Sequence, residues 1–199
     1  MNLTRRDFGK YSGIAALTFV SGASIELIGC NTANVFSSIQ VWIPIGISAV
    51  QGIVTLLGAL VPPQATAIIT LVNAGFASLL ATVTQYENDK NPADKATILA
   101  KIHTILADIV TNFQSFLNAL NLGNNPIEAI VIGLANIILA ALAGFINQLP
   151  VSNITTSMSY KLDRKSITVT PKYYKNVAQF KLDYNAVINS HGHPELDLK

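Results

Sequence analysis

Three histidines, one cysteine and eleven carboxylates are the residues of this 199-residue chain best suited to acid–base, nucleophilic or metal chemistry. The densest group is His191-Gly192-His193-Pro194-Glu195. Two imidazoles and a carboxylate are ligand types for a borderline metal such as zinc. A His-x-His pair without a second ligand group elsewhere also fits a polar helix end, where an imidazolium complements the negative end of the helix dipole. The helix end is the expectation here, so no metal site is expected. His103 and Asp108 are not one helical turn apart and do not form a base–carboxylate pair. Glu87, Asp89, Asp94, Asp108 and Glu128 fall mostly where helix ends are expected, and capping accounts for them. The nucleophile elbow, the H-E-x-x-H pair, the P-loop and the dinucleotide fingerprint are all missing. A single cysteine, Cys30, permits neither an internal disulfide nor a cysteine-based metal site. The expectation is a chain with no catalytic set and no cofactor.

The elements that would position these groups are helices. Charged residues make up 12% of the chain and hydrophobic ones 50%, which excludes a disordered protein. That composition fits either a very apolar soluble bundle or a body that spends time against lipid. From Asn31 to Tyr86 there is no charged side chain. Helices are expected over about 39–60, with Pro44 near the start, and about 64–86, separated by Val61-Pro62-Pro63. Asn91-Pro92-Ala93-Asp94 and Asn125-Pro126-Ile127-Glu128 are paired start signals: an asparagine cap, a proline in the first turn, then an acid. They predict helices over about 92–121, stopped at Leu122-Gly123, and about 126–149, stopped by Pro150. The third has the cleanest amphipathic period, with Ile98, Ile102, Ile105, Ile109 and Phe113 on one face and Lys101, Thr104, Asp108 and Thr111 on the other. Ala140-x-x-x-Gly144 would allow close approach of a neighbour.

Residues 151–199 differ in character. Met158, Tyr160 and Leu162, then Ile167 and Val169, alternate with polar residues around Asp163-Arg164-Lys165, predicting a small hairpin. Thr170-Pro171 predicts a fifth helix over about 171–189, with an apolar stripe of Tyr174, Val177, Phe180, Tyr184, Val187 and Ile188. The tail carries a net charge of +3, but its lysines are mixed with acids and form no dense basic stripe, so nucleic acid is not an expected partner. The fold class expected is all-α: an up-down antiparallel bundle of about four helices over 39–150, followed by a polar C-terminal extension over 151–199 with a hairpin and a fifth helix.

The N-terminus reads as an address. Thr4-Arg5-Arg6-Asp7-Phe8-Gly9-Lys10 precedes a short, weakly apolar stretch from Tyr11 to Val20, the layout of a cleavable signal. Arg5, Arg6, Phe8 and Lys10 resemble the twin-arginine export consensus. Leu27-Ile28-Gly29-Cys30 resembles the bacterial lipobox. The resemblance covers the signal alone, and no family is recognised for the rest. It implies recognition by the twin-arginine translocase, removal of residues 1–29 by lipoprotein-processing enzymes and attachment of lipid to Cys30. Residues 30–38 would then be a tether. It also implies a membrane-anchored protein on the periplasmic or extracellular side. Asn31, in place of an aspartate after the cysteine, points to the outer membrane in a Gram-negative host. The function expected is a non-enzymatic envelope bundle that binds an envelope protein partner or supports the envelope. The alternative is a membrane-inserting or apolar-ligand-binding bundle, and an enzyme ranks third.

Overall fold

The computed structural model describes residues 34–122, 125–149, 158–162 and 165–199; for the hairpin residues up to Lys165 only the backbone is described. Helix α1 covers 34–57 and closes in a 3-10 turn, Gly58–Leu60. Helices α2 (Pro63–Asn88), α3 (Pro92–Ala119) and α4 (Ile127–Gln148) follow. Strands β1 (Met158–Leu162) and β2 (Lys165–Val169) form an antiparallel pair, with Met158 opposite Val169 and Leu162 opposite Lys165. Helix α5 (Val177–Ser190) ends the regular structure apart from a final 3-10 turn, Pro194–Leu196.

The local signals work as the residue types require. Asn91 Oδ1 accepts from the Ala93 N–H at 3.1 Å, and Asn125 Oδ1 accepts from the Ile127 N–H at 3.1 Å. Each removes one orphan donor at a helix start. Pro63 and Pro92 sit in first turns, where their missing N–H costs nothing.

Two boundaries differ from expectation. Helix α1 begins at Asn34, not near Ile39, and Val35 and Phe36 are buried. The reason is tertiary: the Phe36 ring meets the Tyr86 ring at 4.4 Å, so the first turn has a partner the sequence does not show. Residues 34–38 are therefore helix and not tether. Helix α5 begins at Val177, not at Pro171. Asn176 supplies the cap, accepting from the Ala178 N–H at 2.8 Å. Upstream, the Lys172 N–H donates to the Ala140 carbonyl at 2.9 Å, which holds the chain extended against α4. The expected stops at Gly123 and Pro150, and the turn at Asp163-Arg164, lie outside the described residues.

The fold is an all-α bundle with antiparallel neighbours. Early α1 meets late α2 (Phe36 with Tyr86, Trp42 with Phe76) and late α4 (Trp42 with Phe145). Early α3 meets late α2, where the Lys95 ammonium lies 5.0 Å from the Tyr86 ring centre. Helix α5 runs parallel to α1, with Phe180 near Trp42 and Tyr184 near Ala49. It runs antiparallel to α4, where Val187 abuts Gly133. One continuous core joins all five helices and Val169 of β2.

Four helices are long and apolar enough to cross a membrane by length and composition. They are not buried alike. The most apolar window of α4 is 72% buried inside the bundle, whereas those of α1 and α2 are each 33% buried. Helix α4 is central: every residue from Ile138 to Ile146 is buried. Protein neighbours account for its composition. Helix α3 turns Lys101, Thr104, Asp108 and Thr111 outward, as its period predicts.

Candidate functional site

Arg5, Arg6, Phe8, Lys10 and Cys30 lie outside the described residues. Cys30 precedes the first described residue, Asn34, by four positions. The C-terminal group is not gathered into a ligand cluster. His191 Nδ1 lies 2.9 Å from the Val187 carbonyl and 3.0 Å from Ser190 Oγ, so it serves the end of α5. His193 Nδ1 pairs separately with Glu195 Oε1 at 3.0 Å on the surface. The Glu195 backbone N–H and then His193 hold that carboxyl below the usual range. Among the described residues no three His, Cys, Asp or Glu side chains stand where they could share a metal ion. His103 lies half-buried on α3 with Nε2 buried and unpartnered, and Asp108 is exposed.

The polar cluster that the structure does assemble was not expected. Asp183, on α5, accepts hydrogen bonds from Lys172 Nζ, from the Tyr174 hydroxyl at 2.8 Å and from Gln179 Nε2 at 2.8 Å. Burial alone would push the Asp183 carboxyl up; the three donors and the Lys172 charge outweigh it and hold the group below the usual carboxylate range. Burial, then the bond to Asp183, pushes the Tyr174 phenol up, keeping it protonated as a donor. The Lys172 ammonium also lies 4.8 Å from the Tyr174 ring centre. Only the Gln179–Asp183 pair, four apart on one helix, was legible in sequence. Lys172 and Tyr174 reach Asp183 because the segment before α5 is extended.

This cluster forms a clasp in which the Asp183 carboxylate is matched by three donors. Its work is to fix the 171–174 segment across α4. There Gly144 replaces what any side chain would fill: a Cβ would lie 2.3 Å from the Lys172 carbonyl oxygen. The small-residue pair Ala140 and Gly144 thus seats a strap of extended backbone, not another helix. A second lock lies higher on α5. The Tyr184 hydroxyl is buried, donates to the Ala49 carbonyl at 3.0 Å, and occupies the notch left by Gly52 on α1. Tyr173 adds an edge contact to Phe145, and its hydroxyl lies 3.3 Å from Ser38 Oγ.

Trp42 sits where α1, α2, α4 and α5 converge. It is fully buried, with Phe76, Phe145 and Phe180 at ring-centre distances of 5.8, 5.4 and 5.4 Å. Its Nε1 is among the buried polar atoms without a partner. No family model, no curated protein and no solved structure matches the chain.

Proposed function

We propose that the chain is an exported, lipid-anchored protein of the bacterial cell envelope whose helical bundle acts as a structural or interaction module, not as a catalyst. The observation that carries this reading is the succession Arg5-Arg6-Asp7-Phe8-Gly9-Lys10, apolar stretch, Leu27-Ile28-Gly29-Cys30, placed directly ahead of a bundle whose described core starts at Val35. The structural employment of the titratable groups supports it further. Asp183 and Lys172 close a clasp, and His191 finishes a helix. Anchoring of this kind is stable where more than one acyl chain is attached.

Intact-mass measurement of the protein taken from envelope fractions tests the reading. The expected species begins at Cys30 and carries acyl chains. A chain that retains residues 1–29, or an unmodified Cys30, sinks it. Cross-linking in the same fractions identifies the envelope partner.

A second reading, insertion of the body into the bilayer, draws on the charge-free outward faces of α1 and α2. The outward Lys101 and Asp108 of α3 count against a bundle that crosses the membrane as a whole. After Cys30→Ala, release into the soluble fraction by a carbonate wash sinks the inserted body.

A further inference from the structure

Charge is segregated around the bundle. The outward positions of α3 include Lys101 and Asp108, and those of α5 and its flanks include Lys172, Lys175 and Glu195. Helices α1 and α2 carry no charge from Asn34 to Tyr86; the one charged residue of α2, the exposed Glu87, accepts from Gln40 Nε2 of α1 at 2.6 Å. The two helices lie side by side, as the Phe36–Tyr86 and Trp42–Phe76 contacts require, so their outward positions form one side of the molecule. Val41, Leu71 and Leu80 are exposed there at 59%, 56% and 38%, with Pro44, Ala74 and Ala81 also outward.

Three hydroxyls on this side have little need for water, whereas the exposed Gln51, Thr55, Ser78 and Gln85 side chains suit a contact at headgroup depth. Ser48 Oγ donates to the Pro44 carbonyl at 3.0 Å, Thr70 to Thr66 at 3.1 Å and Thr84 to Leu80 at 2.9 Å. A hydroxyl bonded back to its own helix is inexpensive to desolvate, whereas a lysine or aspartate is not.

The chain outside the described bundle says what lies nearby. From Cys30 to Asn34 a fully extended chain spans at most about 14 Å. The helical run Asn34–Leu60 has 27 residues, about 40 Å of length. A lipid on Cys30 therefore keeps the start of α1 next to the bilayer, and beyond the Gln40–Glu87 pair the charge-free side extends along the helix. Tethering presents this side to the membrane at high effective concentration. The exposed large hydrophobic residues there are all aliphatic, so the side lacks the aromatic and arginine anchors of protein interfaces.

We infer that the α1–α2 side is a bilayer-apposed surface: the anchored bundle lies along the membrane on these two helices, with α3 and α5 turned to solvent. This rests on the lipid-anchored reading. The contact is at headgroup depth, and its partner is a phospholipid surface.

The test uses the full-length mature lipoprotein. Lipidation caps the Cys30 sulfur, so a cysteine introduced at an exposed position is the only free thiol. Val41→Cys, Leu71→Cys, Thr104→Cys and Asn88→Cys are each labelled with an environment-sensitive fluorophore. The proteins are reconstituted on vesicles of phosphatidylethanolamine and phosphatidylglycerol that contain a headgroup nitroxide lipid. Labels at 41 and 71 are expected to be quenched several-fold more than the label at 104. Strong quenching at 88 with none at 41 and 71 means the bundle stands on its Asn34 end and overturns the inference. Equal quenching at all four positions, or none, overturns it too. Disulfide-linked dimers through both Val41→Cys and Leu71→Cys on the vesicles show a second copy covering the side, and also overturn it. Intact mass is read first: an unmodified Cys30 refutes the anchor itself, a failure distinct from a wrong orientation.

Discussion

Removing one methylene-sized gap, the notch at Gly52, tests how the C-terminal helix is docked. A Cβ at Gly52 would stand 2.4 Å from the Tyr184 hydroxyl oxygen but 3.6 Å from the ring carbon that bears it. In the native background, Gly52→Ala must displace the buried hydroxyl and break its bond to Ala49. That costs about 1 kcal/mol for the bond and about 1–2 kcal/mol for overpacking. Alanine returns up to about 1 kcal/mol of helix propensity. The net effect is a loss of about 1–2 kcal/mol. With Tyr184→Phe the obstructing atom is gone. That change alone costs about 1 kcal/mol. Gly52→Ala added to it then stabilises by about 0.5–1 kcal/mol, because only the propensity gain remains.

The sign of one substitution thus reverses with the background, and the coupling energy is about 2 kcal/mol, well above the scatter for independent sites. Urea unfolding followed through Trp42 reads it directly, since the chain has a single tryptophan and its ring touches Phe180 of α5. With a slope of about 2 kcal/mol per molar urea, each kcal/mol moves the midpoint by about 0.5 M. Equal destabilisation by Gly52→Ala in both backgrounds would refute the docking of Tyr184 into this notch, and with it the placement of α5 against α1.

Three other outcomes follow from the same packing. Gly144→Ala puts a Cβ against the backbone of Lys172 and Tyr173, which cannot rotate away; a loss of about 2–3 kcal/mol is expected, read as a lowered melting temperature in spite of alanine's better helix propensity. Asp183→Asn weakens the clasp by about 1 kcal/mol at neutral pH. The folded Asp183 carboxyl is held below its unfolded value, so its contribution is complete above the unfolded value of about 3.9. It is lost as pH falls through the folded value, and the two urea midpoints should converge toward acid pH. Asn91→Ala and Asn125→Ala each remove a cap and should cost about 1 kcal/mol, measured the same way.

How much of this was legible depends on the range of each signal. Asn91 and Asn125 were readable because a cap acts within three residues. The face of α3 was readable because Ile98, Ile102, Ile109 and Phe113 repeat with the helix and are all buried as expected. The start of α1 at Asn34 was not, because Phe36 owes its place to Tyr86 fifty positions on. The Thr170-Pro171 signal misled for a similar reason. A proline permits a helix start without compelling one, and the Ala140 carbonyl with the notch at Gly144 draws the segment into an extended strap. The clasp was hidden for the same cause: Lys172 and Asp183 meet only once that strap exists.

The lasting ambiguity in the sequence was whether its apolar helices are apolar for lipid or for each other. Hydropathy cannot separate the two, since burial in protein and burial in a bilayer demand the same side chains. The structure separates them helix by helix. The most apolar, α4, with a mean hydropathy of 2.5, is 72% buried among its neighbours and needs nothing more. In the most apolar windows of α1 and α2, at 1.9 and 1.8, only 33% of the residues are buried, close to the 39% of α3, so their outward composition is not explained by the core. A soluble bundle helix ordinarily places charge on such a face, as α3 does with Lys101 and Asp108. The outward faces poor in charge therefore belong to α1 and α2, and it is their surface, not the hydrophobicity of the chain as a whole, that the proposed bilayer contact would cover.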